Sequence, residues 1–400
     1  MPQGIEAVES TTPEEKTTIA PPTEAPTPAP RSLRTPAVSS SSTNDMIDFS
    51  VSNGKIWANG EEFHIKGVNW FGFEETDRML HGIWGSISME EGLDFLKEHD
   101  FNAVRVPFSV STLLENPITE LGRVHSNPEL VGKTMLQVMG AFVARAAERN
   151  ILVVFDAHRL RPESGIDDLW YDATTPLEDL LASWTMLADT FGDSWNVFAA
   201  DLKNEPHGIA EWGTGDVAKD WAMGATIVGN HVLSKCPRWL IFVEGVQEFE
   251  GRNGWWGGVL QGVRDTPVVL TDKSKLVYSP HVYGPSVHMQ PAFEASSNFP
   301  ENLNEIWDTD FGFIPEETGV PIVLGEWGGF YNDLDRVWQD RLMHYINQHA
   351  IGFFYWCFNP ESGDTGGLVK DDWKTPETEK LGVLSLATST DVKTVRTHRK

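Results

Sequence analysis

The chain has 400 residues, with 31 Lys and Arg against 58 Asp and Glu, a formal net charge of −27. A 40% hydrophobic content with 21 Phe and 16 Trp supplies a sizeable core and excludes global disorder, and the length admits one large domain or two ordinary ones. An acidic surface repels phosphate backbones and anionic lipids, and no run approaches the roughly 18–20 apolar residues of a bilayer span, so neither nucleic acid nor a membrane is expected as partner.

In chain order, residues 1–46 come first, with eight of the 24 prolines, many Thr, Ser and Glu, and no aromatic residue. Such a stretch buries too little apolar surface to offset its ordering entropy and is predicted to be a disordered Pro/Thr/Ser-rich linker, with 47–400 as one domain. No basic segment followed by an apolar one marks a signal peptide near Met1. Asn53-Gly54 and Asn59-Gly60 predict a small hairpin. Eight short apolar runs follow, at 63–69, 101–108, 151–158, 197–205, 240–246, 276–283, 321–328 and 352–359. Amphipathic helical patterns over 89–99, 135–149, 177–191, 221–233 and 334–348 separate several of them. Strand alternating with helix predicts βαβ units and a parallel sheet, and eight units fit a (β/α)8 TIM barrel with enlarged βα loops, its floor capped by the hairpin. An open doubly wound sheet lacks support, because neither GxGxxG nor a complete P-loop occurs. The terminal VKTVRTHRK reads as a solvated basic tail. Cys236 and Cys357, the only two cysteines, are expected as buried free thiols.

Each run turns polar at its C-terminal end: Asn69, Arg105, Asp156 with His158, Asn204 with Glu205, Glu244, His281 with Tyr283, Glu326, and Trp356 with Asn359. In a closed barrel these ends converge on one rim, where βα loops build active sites. Glu205 and Glu326 end the fourth and seventh runs, which lie across the lumen from each other. Opposed carboxylates are what glycoside hydrolysis needs: one protonates the leaving oxygen, the other attacks the anomeric carbon, with retention if they stand about 5–5.5 Å apart. Tyr283 and Arg105 are expected to hold an ionised nucleophile and lower its pKa. Asn204 suits a sugar 2-hydroxyl, and His158 and His281 suit hydroxyls or the carboxylates. Trp356 offers a flat face to a pyranose, extended by Trp70, Trp255 and Trp256. Glu244 is expected as a rim hydrogen-bond acceptor, and Asp156 as a brace for Arg159 or His158. The twelve histidines show neither HxH nor HExxH spacing, so no metal and no cofactor is expected.

The ordered set VNWFGFE (68–74), VRVPFS (104–109), NEPH (204–207), FVEGVQ (242–247), HVYG (281–284), GEWG (325–328) and NPESGDTGGLVKDDW (359–373) resembles glycoside hydrolase family 5, in its endo-β-1,4-glucanase (cellulase) branch. The resemblance implies that Glu205 is the acid/base and Glu326 the nucleophile of a retaining double displacement. It also implies that Arg105, His158, Asn204, His281, Tyr283 and Trp356 support them. The expected substrate is cellulose or a soluble β-glucan, met outside the cell by a secreted monomer. Alternatives are another β-glycan or glycolipid (mannan, xyloglucan, glucosylceramide) or a non-catalytic carbohydrate-binding barrel.

Overall fold

The computed structural model describes residues 46–397, so the linker expected over 1–46 lies, apart from Met46, outside the described residues. The eight apolar runs form parallel strands: β1 Lys66–Asn69, β2 Ala103–Ser109, β3 Leu152–Arg159, β4 Val197–Asp201, β5 Leu240–Val243, β6 Leu276–Tyr278, β7 Val323–Trp327 and β8 Gly352–Tyr355. Every strand residue except Arg159 is buried, which is why these runs lack the alternation of a half-exposed sheet. They pair in the order β6-β5-β4-β3-β2-β1-β8-β7. Parallel bridges Tyr278–Ile322 and His281–Glu326 then join the sixth strand segment to the seventh. The ring is the expected nearly closed (β/α)8 barrel.

The outer helices are α1 Met89–Glu98, α2 Met135–Glu148, α3 Leu177–Phe191, α4 Trp221–Lys235 and α5 Asp333–His349. Capping boxes start two of them, Ser88 with Glu91 and Thr134 with Gln137, each satisfying two otherwise orphaned N–H groups. In place of a helix, the β5–β6 connection carries a small hairpin, Glu248–Phe249 against Arg252–Asn253, and short 3-10 turns at Gln261–Arg264 and Lys273–Lys275, so the strict strand–helix alternation fails there.

The hairpin is present as strands Phe49–Ser52, Lys55–Ala58 and Glu61–Glu62. Asn53, Gly54, Asn59 and Gly60 all have positive φ, as the tight turns joining twisted antiparallel strands require. Its apolar face, with Ile47, Phe49, Ile56 and Phe63, packs with the lumen residues Phe198, Phe242 and Phe354; the Phe49 and Phe198 rings are 5.0 Å apart. The floor is thereby plugged, leaving the polar strand ends as the open rim. The C-terminal segment differs from its expectation. Val392–Thr397 is a helix whose Val392 and Val395 are buried in the same floor cluster, because those two valines, three apart, share one helix face. Both cysteines are buried and free.

Candidate active site

The rim is organised by a buried cation. Arg105 projects from β2 beside its register partner Asn69 and is fully buried. Its Nε donates to Asp201 Oδ2 at 2.9 Å, and its Nη1 to Asn69 Oδ1 at 3.0 Å and Glu326 Oε1 at 2.6 Å. Nη2 donates to Asn204 Oδ1 at 3.0 Å and Glu244 Oε1 at 3.2 Å, and lies 3.1 Å from Asp156 Oδ2. Burial opposes its charge, but Asp156, Asp201, Glu326 and Glu244 keep it protonated. Only a planar five-donor fork serves so many acceptors from one place.

Glu205 and Glu326 face each other above this fork. An oxygen of each and a ring nitrogen of His281 all lie within 4.8 Å of one another. His281 Nδ1 is 3.2 Å from Glu205 Oε1 and 3.5 Å from Glu326 Oε2, while its Nε2 is 3.1 Å from Glu244 Oε1. Burial alone would lower His281, but Glu244 and Glu326 hold it well above the ordinary histidine range. The Tyr283 hydroxyl donates to Glu326 Oε2 at 2.7 Å. His158 donates from Nδ1 to Asp156 Oδ2 at 2.6 Å, and burial keeps it neutral, well below its usual pKa. Asp156 thus braces His158, one of the two partners expected for it.

The carboxyl energetics differ from the sequence expectation. Burial raises Glu326 above its ordinary value, against the pull of His281 and Arg105 and with the push of Glu205. Burial would also raise Glu205, but the hydrogen bond and charge of His281 bring it below. Burial pushes Asp156 and Asp201 up to about 6 and Glu244 up to about 8.

A cleft of about 1110 Å³ opens over the pair, lined among others by Phe71, Glu74, His158, Trp255, Trp256, Tyr283 and Trp356. Trp356 runs nearly parallel to Phe71 and His158, each with ring centroids 5.5 Å away. Trp256, 41% exposed, stacks on His207 at 3.8 Å, and His207 Nδ1 donates to the Glu205 carbonyl at 2.7 Å. Arg105, Asn204 and His281 are fully buried and act from beneath the carboxylates. Trp70 is a correction. It is fully buried, stacked edge-on against Phe142 and Phe358, and does not line the cleft. Asn69 faces the lumen to meet Arg105, so its neighbour on an extended strand must face the outer helices; Phe71 lines the cleft instead.

A family model described as cellulase, glycosyl hydrolase family 5, matches residues 57–362. The chain belongs to glycosyl hydrolase family 5. Among its relatives, an endoglucanase of Paenibacillus polymyxa is 43% identical over 81% of this chain and 83% of its own length. The major extracellular endoglucanase of Xanthomonas campestris is 36% identical over 84% of this chain and 71% of its own. A hyperthermophilic endocellulase from the archaeon Pyrococcus horikoshii superposes with a TM-score of 0.81 at 39% identity, over 86% of this chain and 99% of that one. A glutamate-to-alanine variant of that enzyme in complex with cellotetraose gives 0.80 at 38% identity, over 84% and 97%.

In this family 5 hydrolase, three participants escaped the sequence reading. Asp201, fully buried, sits within an apolar run, where an acid signals a buried partner. His207 belongs to the quoted NEPH motif but received no role. Phe71 follows from the strand parity that moves Trp70 away. As for metals, Asp201, Glu244 and His281 form a second acid–imidazole cluster within 4.8 Å, and Arg105 already bonds both of its carboxylates.

Proposed function

We propose that this hydrolase cuts internal β-1,4-glucosidic bonds of cellulose or soluble β-glucan, with retention, by a double displacement. Glu326 is the nucleophile and Glu205 the acid/base. The observation that carries the reading is the approach of their carboxylate oxygens to within 4.8 Å. That gap suits direct attack on a sugar carbon and is too short for the roughly 6.5–9.5 Å that inversion needs to seat a water. Charge belongs on Glu326: Arg105 and Tyr283 donate to its two different oxygens, and neither group takes up a proton near neutrality. Glu205 keeps 13% of its side-chain exposure. A saccharide closing over it removes that water and raises its pKa, leaving the shared proton where the leaving oxygen needs it.

In the first step Glu205 protonates that oxygen as Glu326 bonds to the anomeric carbon. In the second, Glu205 takes a proton from water, which displaces Glu326. Asn204 Nδ2 is buried without a protein partner, a free donor suited to a sugar 2-hydroxyl. Trp356 supplies an apolar face beside the pair, and Trp255 and Trp256 line the same cleft. Its volume of about 1110 Å³ exceeds the usual 300–1,000 Å³ of small-ligand pockets and suits an oligosaccharide. A polymeric substrate implies action outside the cell, and residues 1–46 are read as a linker ahead of a catalytic domain over 47–400. The test is viscosity loss against reducing-end release on carboxymethyl-cellulose, mannan and xyloglucan. Rapid viscosity loss per bond cut, on the glucan above all, supports the reading; end-wise release, or preference for mannan or xyloglucan, overturns it.

A further inference from the structure

We infer that Glu244 is the positioning residue of the acid/base, fixing Glu205 both by its main-chain N–H and, through His281, by its side chain. The inference rests on the roles proposed above for Glu205 and Glu326. Glu205 has a left-handed backbone, φ 52°, which a side-chain-bearing residue holds only when its surroundings impose it. Its N–H donates to Glu244 Oε2 at 2.6 Å. The other oxygen of the same carboxylate lies 3.1 Å from His281 Nε2, whose opposite nitrogen meets Glu205 Oε1 at 3.2 Å. One buried carboxylate therefore holds the acid/base at both ends.

The histidine link depends on charge. A neutral imidazole protonated only at Nε2 would turn a lone pair toward the Glu205 carboxylate. With a carboxylate facing each nitrogen, the ring carries both protons: Nδ1 hydrogen-bonds Glu205, and the charged Nε2 side is ion-paired with Glu244. Glu244 is itself fixed from outside. Its carbonyl accepts from Trp221 Nε1 on α4 at 2.9 Å, and Gly245 N donates to Gly257 O at 2.7 Å. Gly257 has φ 67°, and a Cβ there would fall on Glu244 Oε2 and 3.3 Å from Glu205 Cα. A glycine in the tryptophan-rich loop is what lets that loop close over the pair. Glu244 also touches Arg105, but the guanidinium keeps Asn69, Asp201, Asn204 and Glu326 without it. Loss of Glu244 therefore falls first on the acid/base, while the nucleophile, which His281 also faces at 3.5 Å, keeps its hydrogen bonds from Arg105 and Tyr283.

That asymmetry gives the test. kcat/KM reports formation of the glycosyl-enzyme, measured on 2,4-dinitrophenyl β-cellobioside, whose leaving group needs no proton, and on phenyl β-cellobioside, whose leaving group does. Wild type and Glu205→Ala run alongside. If Glu205→Ala does not lose selectively on the phenyl substrate, the acid/base assignment itself falls, separately from the inference about Glu244. With that control in order, Glu244→Gln is expected to lose about 10- to 100-fold on the phenyl substrate and to stay within about threefold on the dinitrophenyl one, since acid catalysis contributes roughly 10²–10⁴. Equal losses on both substrates, or no loss, overturn the inference. Glu244→Asp, which keeps the charge and withdraws the carboxylate by one methylene, serves if the Gln variant does not fold. It is expected to show the same bias in smaller measure, and an even loss overturns the inference in the same way.

Discussion

Replacing Arg105 by Met removes the one guanidinium bonded or paired to four carboxylates: Glu326 at 2.6 Å, Asp201 at 2.9 Å, Asp156 at 3.1 Å and Glu244 at 3.2 Å. Arg105, Asp156, Asp201 and Glu244 are fully buried, so water cannot take over. Breaking a buried ion pair by removing one partner costs about 3–5 kcal/mol. The four acids share a single cation, and their protonation caps the cost. Asp156 and Asp201 already stand near 6 with the guanidinium present, and without it they rise further. At pH 5 they are then neutral and need no counter-charge. Urea unfolding of Arg105→Met should therefore show a loss of about 3–5 kcal/mol at pH 7.5 and a clearly smaller one at pH 5. Arg105→Lys, with charge but no fork, should recover part of the stability and little of the activity. Stability within about 1 kcal/mol of wild type at pH 7.5, below the range for a broken buried pair, or a larger loss at acid pH, refutes the reasoning.

Tyr283→Phe removes one hydrogen bond to a charged oxygen, worth about 1.5–3 kcal/mol, so kcat/KM for an aryl cellobioside should fall roughly 10- to 100-fold; a change under about threefold counts against Tyr283 as a donor to the nucleophile. Trp256→Ala should raise KM on cellotetraose and longer chains while leaving dinitrophenyl cellobioside nearly untouched; equal effects on both would remove it from the substrate path. Stability should fall as pH rises above 6.5: the Glu244–His281 pair, in which Glu244 is raised to about 8 and His281 is held well above 6.5, keeps one proton in the native state, on the imidazole facing the Glu244 carboxylate, that the unfolded chain has released. That one proton is worth on the order of 2 kcal/mol between pH 6.5 and 8, and a flat or rising calorimetric melting temperature across that interval contradicts the assignment.

The barrel was legible because fully buried parallel strands leave continuous apolar runs, and the rim because each run ends in a polar side chain. Glu205 and Glu326 stood out for the same reason. Long-range polar contacts left weaker traces. Nothing local in the run 197–205 marks Asp201 as the partner of an arginine on β2, and the basic residues of 392–400 mask two valines that dock on the floor. Trp70 was misjudged because tryptophan was weighed by type and not by strand parity. The raised Glu326 could not be read from its neighbours alone, since burial outweighs Arg105 and only the folded chain reveals how deep the carboxyl lies.

Incubation with 2,4-dinitrophenyl 2-deoxy-2-fluoro-β-cellobioside, followed by peptide mass analysis, tests the central claim most directly. Stoichiometric loss of activity with a fluorocellobiosyl group on the peptide bearing Glu326, and none on that bearing Glu205, is the predicted result. Labelling of Glu205, or turnover releasing the α-anomer with no covalent adduct, would contradict it.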